Sequence, residues 1–264
     1  MRLGRVQLGD SVVAGVISDD STVTKDAVTG SLTVTVVEAA GSAGLDVGDI
    51  VDLGTARLLA PVIPGKVIGI GKNYADHAAE MKGEVPSQLL MFLKPASSVV
   101  GPMDAIVLPA AARIVHHEAE LCIVIGRECR SASREDALAY VLGYTCGNDV
   151  SSRDLQKLDG QWTRAKGFDT FCPLGPWIET DIDPTDVAVR CAVNSSITQD
   201  GNTADMVYDV RTIIAEVSAV MTLHPGDVIM TGTPAGVGPI VDGDVVTVEC
   251  GGIGSLSNPV VSAS

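Results

Sequence analysis

His116-His117-Glu118-Ala119-Glu120-Leu121-Cys122-Ile123-Val124-Ile125 is the stretch on which the architecture turns. Its second half is short, apolar and largely β-branched, which reads as a strand. On a strand residues i and i+2 face one side, so Glu118 and Glu120 point together, about 7 Å apart. Two carboxylates so placed repel one another unless a cation or water lies between them. Nothing basic occupies the position between them. An isolated E-x-E is usually an exposed strand face with two solvated acids, because so short a match arises by accident.

Working outward, similar runs occur at Ser11 to Ile17, Leu32 to Val37, Lys66 to Ile70, Leu89 to Leu93, Gly143 to Asn148, Val187 to Val193, Asp227 to Met230 and Val245 to Glu249. Helical periodicity is clear in two places, Ser133 to Leu142 and Val210 to Met221. Ser133 followed by Asp136 approximates a capping box at the start of the first. Strands outnumber helices and do not alternate with them, which argues against a doubly wound sheet and for a β-rich α+β fold. Pro61 and Pro64-Gly65 suit a linker. They divide a small N-terminal domain, residues 1–64, from a larger one, residues 65–264.

Composition excludes several roles. With 18 Lys and Arg against 33 Asp and Glu the net charge is −15, so a phosphate backbone is repelled before any base is read. Aromatics, at 3%, are too few for the stacking platforms of single-strand binders. The six cysteines form no C-x-x-C pair and read as small buried hydrophobes in a reducing compartment. Neither a signal-type apolar stretch near Arg2 and Arg5 nor a membrane span is visible, so a soluble, cytoplasmic protein is expected. Gly69-Ile70-Gly71 follows a strand, but Tyr74 stands where a dinucleotide-binding loop needs its third glycine. The glycine-rich Thr231 to Gly238 lacks the G-K-[ST] ending of a phosphate loop, and there is no G-x-S-x-G elbow.

A third acid changes the reading of Glu118 and Glu120. Asp149 closes the strand-like Gly143 to Asn148. Three oxygen ligands without cysteine suit a hard cation, Mg²⁺ or Mn²⁺, with positions left for water or substrate. His116 or His117 is an alternative ligand; adjacent strand residues face opposite sides, so at most one can join the glutamates. In Asn73 to Glu80, His77 and Glu80 are three apart and share a helix face, where the carboxylate can orient the imidazole. Alone, that pair is as well explained by a surface ion pair.

Taken together, six blocks resemble the fumarylacetoacetate hydrolase family from about Lys66 to the C-terminus. They are Gly69-Ile-Gly-Lys-Asn-Tyr-Ala-Asp-His77, Phe92-Leu-Lys-Pro95, His117-Glu-Ala-Glu-Leu121, Asn148-Asp-Val-Ser-Ser-Arg-Asp-Leu-Gln156, Arg164-Ala-Lys-Gly167 and Thr231-Gly-Thr-Pro234. The resemblance implies a mixed β-sandwich roll preceded by a small variable N-terminal domain, assembled as a homodimer or higher. It implies Glu118, Glu120 and Asp149 as ligands of Mg²⁺ or Mn²⁺, His77, Glu80 and Lys166 as catalytic residues, and Tyr74, Arg153, Gln156 and Thr233 as substrate contacts. The implied substrate is a small 2-oxo acid, cleaved at a C–C bond as by an acylpyruvate hydrolase. Oxaloacetate decarboxylation and isomerisation or decarboxylation of ring-fission dicarboxylates are the alternatives, and a silent metabolite sensor a remote one. Tyr74 to Glu84 is expected to form a lid, broken at Gly83-Glu84-Val85-Pro86.

Overall fold

The computed structural model describes residues 1–19, 22–24, 27–29, 32–40, 46–80 and 86–263. Of the expected lid, residues 81–84 lie outside these. The expected strands form, most shifted by one or two residues at their ends. Among the described residues no helix is long and apolar enough to cross a membrane.

A twelve-stranded mixed sheet runs through the molecule in the order Ile50–Asp52, Leu32–Ala40, Ser11–Asp19, Arg2–Leu8, Cys172–Glu179, Val141–Asn148, Ala119–Ile125, Val228–Met230, Val67–Gly71 and Leu90–Lys94, with two short strands off this path. The N-terminal strands therefore continue the sheet of the larger segment, through the register Arg2↔Glu179. A second, five-stranded sheet, ordered Ile106–Leu108, Gly254–Ser262, Val245–Cys250, Ala188–Val193 and Ser196–Asn202, packs against it. The fold is β-rich α+β, a mixed sandwich roll.

The strand Ala119–Ile125 lies inside this arrangement, buried along its whole length. Its period of two sorts the side chains. Leu121, Ile123 and Ile125 join the main core, which includes Val189, Val246 and Val248 of the second sheet. Cys122 and Val124 join a separate cluster with Val67, Leu174 and Met230. Glu118 and Glu120 carry the even register of Cys122 toward one end of the strand. On the neighbouring strand Gly147 pairs with Glu120, and glycine is needed there because an added Cβ would fall 2.3 Å from Cys122 Sγ.

The helix Val210–Val220 forms as expected, capped by Asp209, whose carboxylate accepts the Thr212 N–H at 2.8 Å. It buries Val210, Ile213, Ile214 and Val217, the i, i+3, i+4, i+7 pattern of one face. The helix expected over Ser133 to Leu142 does not form; only the 3-10 turn Ala137–Tyr140 does. Ser133 and Asp136 do bond locally, the hydroxyl donating to the carboxylate at 2.9 Å and accepting the Asp136 N–H at 3.1 Å. The turn is cut short because Val141 enters the next strand, pairing with Ile125. Pairing across the sheet outweighs local helical periodicity here.

Candidate active site

Two strand ends deliver the site. Glu118 and Glu120 come from the start of Ala119–Ile125, and Asp149 follows the end of its antiparallel neighbour Val141–Asn148. Two hydrogen bonds lock the strands together. Asp149 N–H donates to the Glu118 carbonyl at 2.9 Å, and Glu118 N–H donates to Asn148 Oδ1 at 2.9 Å. A carboxylate oxygen from each of Glu118, Glu120 and Asp149 lies within 4.8 Å of the others. All three residues are buried.

Cations surround two of the three acids. Lys94 Nζ donates to Asp149 Oδ1 at 2.5 Å, and Lys166 Nζ donates to Asp149 Oδ2 at 2.5 Å and to Glu118 Oε2 at 2.7 Å. Arg153 Nη2 stands 2.5 Å from Glu118 Oε1, an ion pair at an angle outside hydrogen-bond geometry. Arg153 Nη1 donates to Gln156 Oε1 at 3.0 Å. Burial pushes the Glu118 carboxyl up, but Lys166, Arg153 and His77 outweigh it and hold the group well below the usual carboxylate range. Burial likewise disfavours the Lys166 ammonium, yet Asp149 and Glu118 more than restore it. Phe92 and Trp162 rings stand 5.1 and 5.9 Å from that ammonium.

Glu120 differs. Among the described residues its carboxylate has one hydrogen-bond donor, the Gly232 N–H at 2.7 Å. Gly232 sits at φ +99°, and a Cβ there would lie 2.7 Å from Asn73 Cβ, so the Thr231-Gly232-Thr233 turn requires glycine to present that N–H. Burial, then Asp149 and Glu118, push the Glu120 carboxyl well above its usual range. A third carboxylate made costly to ionise by two others is what a divalent cation among them would relieve. The donor set is all oxygen, and each oxygen can accept both a lysine proton and a cation. These residues fit Mg²⁺ or Mn²⁺.

The short helix Ala75–Glu80 brings in the expected base. His77 Nδ1 lies 3.2 Å from Glu80 Oε2, and Glu80 Oε1 accepts the Gly236 N–H at 3.1 Å. Thr233 Oγ1 donates to the Ala119 carbonyl at 2.8 Å and accepts from Gln199 Nε2 at 2.7 Å. A single cavity of about 390 Å³ is lined by His77, Glu118, Glu120, Asp149, Arg153, Gln156, Lys166 and Thr233, with Ile70, Phe92 and Trp162 as apolar wall.

Tyr74 is not on that wall. It lines a different cavity with Asp76, Asp200 and Asp205, and its hydroxyl, buried without a partner, is raised by burial and by Glu120. The histidine alternative fails too, because neither His116 nor His117 belongs to the metal-ligand cluster. His117 Nδ1 meets Gln199 Oε1 at 3.0 Å, and His116 is lowered to about 4 by burial and Arg153. Lys94, of the block Phe92-Leu93-Lys94-Pro95, is fully buried on Asp149. Gln199, which supports Thr233 and accepts the Ala119 N–H at 3.0 Å, carried no signal at all.

Comparison with known proteins gives a family and several relatives. The Fumarylacetoacetate (FAA) hydrolase C-terminal family model matches residues 66–261. The crystal structure of a 2-hydroxyhepta-2,4-diene-1,7-dioate isomerase from Mycobacterium marinum is 48% identical, with a TM-score of 0.88 over 100% of this chain and 99% of that one. A maleylpyruvate hydrolase from Sphingobium sp. SYK-6, in complex with manganese(II) and pyruvate, is 34% identical, with a TM-score of 0.78 over 100% of both chains. The mitochondrial oxaloacetate tautomerase of Xenopus laevis is 48% identical over 217 residues, 77% of this chain and 68% of that protein.

Proposed function

The chain belongs to the fumarylacetoacetate hydrolase family, and from that premise we propose a divalent-metal-dependent enzyme that cleaves a C–C bond of a small 2-oxo acid, releasing pyruvate from an acylpyruvate-type substrate. The observation that carries this reading is the convergence of Glu118, Glu120 and Asp149 on one cavity with His77, whose Nδ1 faces Glu80. Glu118, Glu120 and Asp149 would hold Mg²⁺ or Mn²⁺, which when bound supplies a Lewis acid for the oxygens of a 2-oxo acid.

The chain's own residues account for the proton movements. With Nδ1–H donated to Glu80, His77 keeps the lone pair on Nε2 and can take a proton from water. The hydroxide adds to the distal acyl carbon, the bond from that carbon to C3 of the pyruvate unit breaks, and its electron pair stays on C3 as an enolate. His77 then returns the proton to C3, giving pyruvate and a carboxylic acid. A base of this kind contributes about 10²- to 10⁴-fold. Lys166 supplies fixed positive charge beside the developing oxyanion, and Phe92 and Trp162 keep that side of the cavity dry.

The isomerase and tautomerase relatives favour a second reading, in which His77 moves a proton to or from C3, forming or breaking a C–H bond, and no C–C bond breaks. One panel separates the two: acylpyruvates, oxaloacetate and ring-fission dicarboxylates with Mg²⁺ or Mn²⁺, followed for pyruvate release and for enol–keto conversion. Pyruvate from an acylpyruvate supports the first reading; enol–keto conversion alone supports the second, and neither activity refutes both.

A further inference from the structure

The cations nearest the carboxylates are already neutralised within the protein. Lys94 and Lys166 hold Asp149, Arg153 faces Glu118, and His77 is held by Glu80. Two more lysines line the same cavity, Lys72 and Lys157. Among the described residues neither has a hydrogen-bonded or ion-paired acid. Lys72 directly follows the strand Val67–Gly71 and is half-buried; Lys157 is exposed on the helix Arg153–Asp159, one turn beyond Arg153. The lining of this one cavity thus combines three buried carboxylates with two lysines that have no paired acid among the described residues. Ile70, Phe92 and Trp162 supply apolar wall to the same cavity.

A lone lysine on a helix surface would mean nothing. Two that converge on one cavity, in a chain of net charge −15, are a local reversal of the molecule's field. Lys72 also holds a left-handed backbone, φ +56°, where glycine or asparagine is cheaper by about 1 kcal/mol or more. Resting on the 2-oxo acid reading above, we infer that Lys72 and Lys157 bind a second, distal carboxylate of the substrate and make the enzyme selective for dianionic over monoanionic 2-oxo acids. Lysine suits this task. Its ammonium is a point charge on a flexible stem, so the pair recognises a charge without fixing one chain length.

The test is calorimetric binding to the Mg²⁺-loaded enzyme of two inert probes, 2-oxoglutarate and 2-oxopentanoate, which differ in a terminal carboxylate against a methyl group. The wild type should bind 2-oxoglutarate about tenfold more tightly or better. The preference should shrink as added salt shortens the Debye length from about 10 to about 3 Å. In the double variant Lys72→Asn/Lys157→Gln, with asparagine chosen because it tolerates the left-handed backbone, the ratio should fall to near one through loss of 2-oxoglutarate affinity alone. The double arginine variant should retain the preference. If the double variant is poorly folded, Lys157→Gln alone should still lower the ratio by about threefold. An unchanged ratio in the variants, or no preference in the wild type, overturns the assignment of the lysines and leaves the 2-oxo acid reading standing. Binding of neither probe to a wild type that Mg²⁺ still stabilises thermally refutes the 2-oxo acid reading, and this inference with it.

Discussion

Between the strands Arg2–Leu8, Ser11–Asp19 and Leu32–Ala40 the large sheet packs Val6, Val13, Ile17, Val34 and Val36, whereas further along the same sheet the space is filled by Lys94, Glu118, Glu120, Asp149 and Lys166. Both regions are buried and both rest on strands of similar composition. The first is held by apolar area removed from water, a non-directional term that tolerates exchange of one aliphatic side chain for another. The second is held by paired charges, each of which depends on the others remaining in place. The valines are there to hold the sheet; the charges are there for what they can bind.

The sharpest way to break this comparison is Lys166→Met. It leaves Asp149 and Glu118 short of a buried cation and should cost about 3 kcal/mol or more, read as a lowered midpoint in urea at constant m. A loss no greater than that of Val34→Ala would mean that Lys94 and Arg153 suffice to neutralise the cluster. His77→Ala should act on rate with little effect on stability. Acylpyruvate hydrolysis should fall about 10²- to 10⁴-fold, while oxaloacetate decarboxylation, which needs no attacking water, falls less. Equal losses would reassign His77 to positioning. Glu120→Gln should remove the Mg²⁺-dependent rise in thermal stability, about 2.7 kcal/mol at one hundred times the dissociation constant. A retained rise would exclude Glu120 as a ligand.

Smaller effects are expected away from the charges. Val34→Ala should cost about 2 kcal/mol by cavity formation and leave the Mg²⁺ response intact. Asp209→Ala should cost about 1 kcal/mol through the lost helix cap. Burial alone would raise the Asp209 carboxyl, but bonds from Thr212 and the Arg134 ion pair hold it below the usual range. The unfolded chain therefore binds the proton more tightly, so the cap's contribution is present above the ordinary aspartate range and is lost as pH falls through the lower, folded value. Stability of the wild type and of Asp209→Ala should converge in acid.

Most of the fold was legible because the strands are β-branched and short, and a strand writes itself into local sequence. The failure at Ser133 to Leu142 came where local periodicity overlapped a strand whose partner, Ala119–Ile125, decides the matter. In the site, Glu118, Glu120 and Asp149 could be read because two share a strand face and the third closes a recognisable strand. Lys94 and Gln199 could not be assigned a place from local pattern. Their partners lie 55 and 80 residues away in Asp149 and Ala119, and nothing local marks a lysine or glutamine as buried. Tyr74 belongs to a recognisable block, yet it lines a neighbouring cavity with Asp76, Asp200 and Asp205, which a motif match does not reveal.

The register that joins Val67–Gly71 to Val228–Met230 in parallel has a kinetic meaning. Lys66 N–H donates to Asp227 Oδ1 across 161 residues of sequence, so this edge of the sheet closes only after a very long loop has been brought together. Such distant pairing is slow, because the entropy of closure is spent before the contacts that reward it exist. Thr231, Gly232 and Thr233, which give Glu120 its N–H and anchor Ala119, lie just beyond that register. By this argument the three-carboxylate cluster is expected to be completed among the last events of folding. A metal bound there would slow unfolding far more than it would hasten folding.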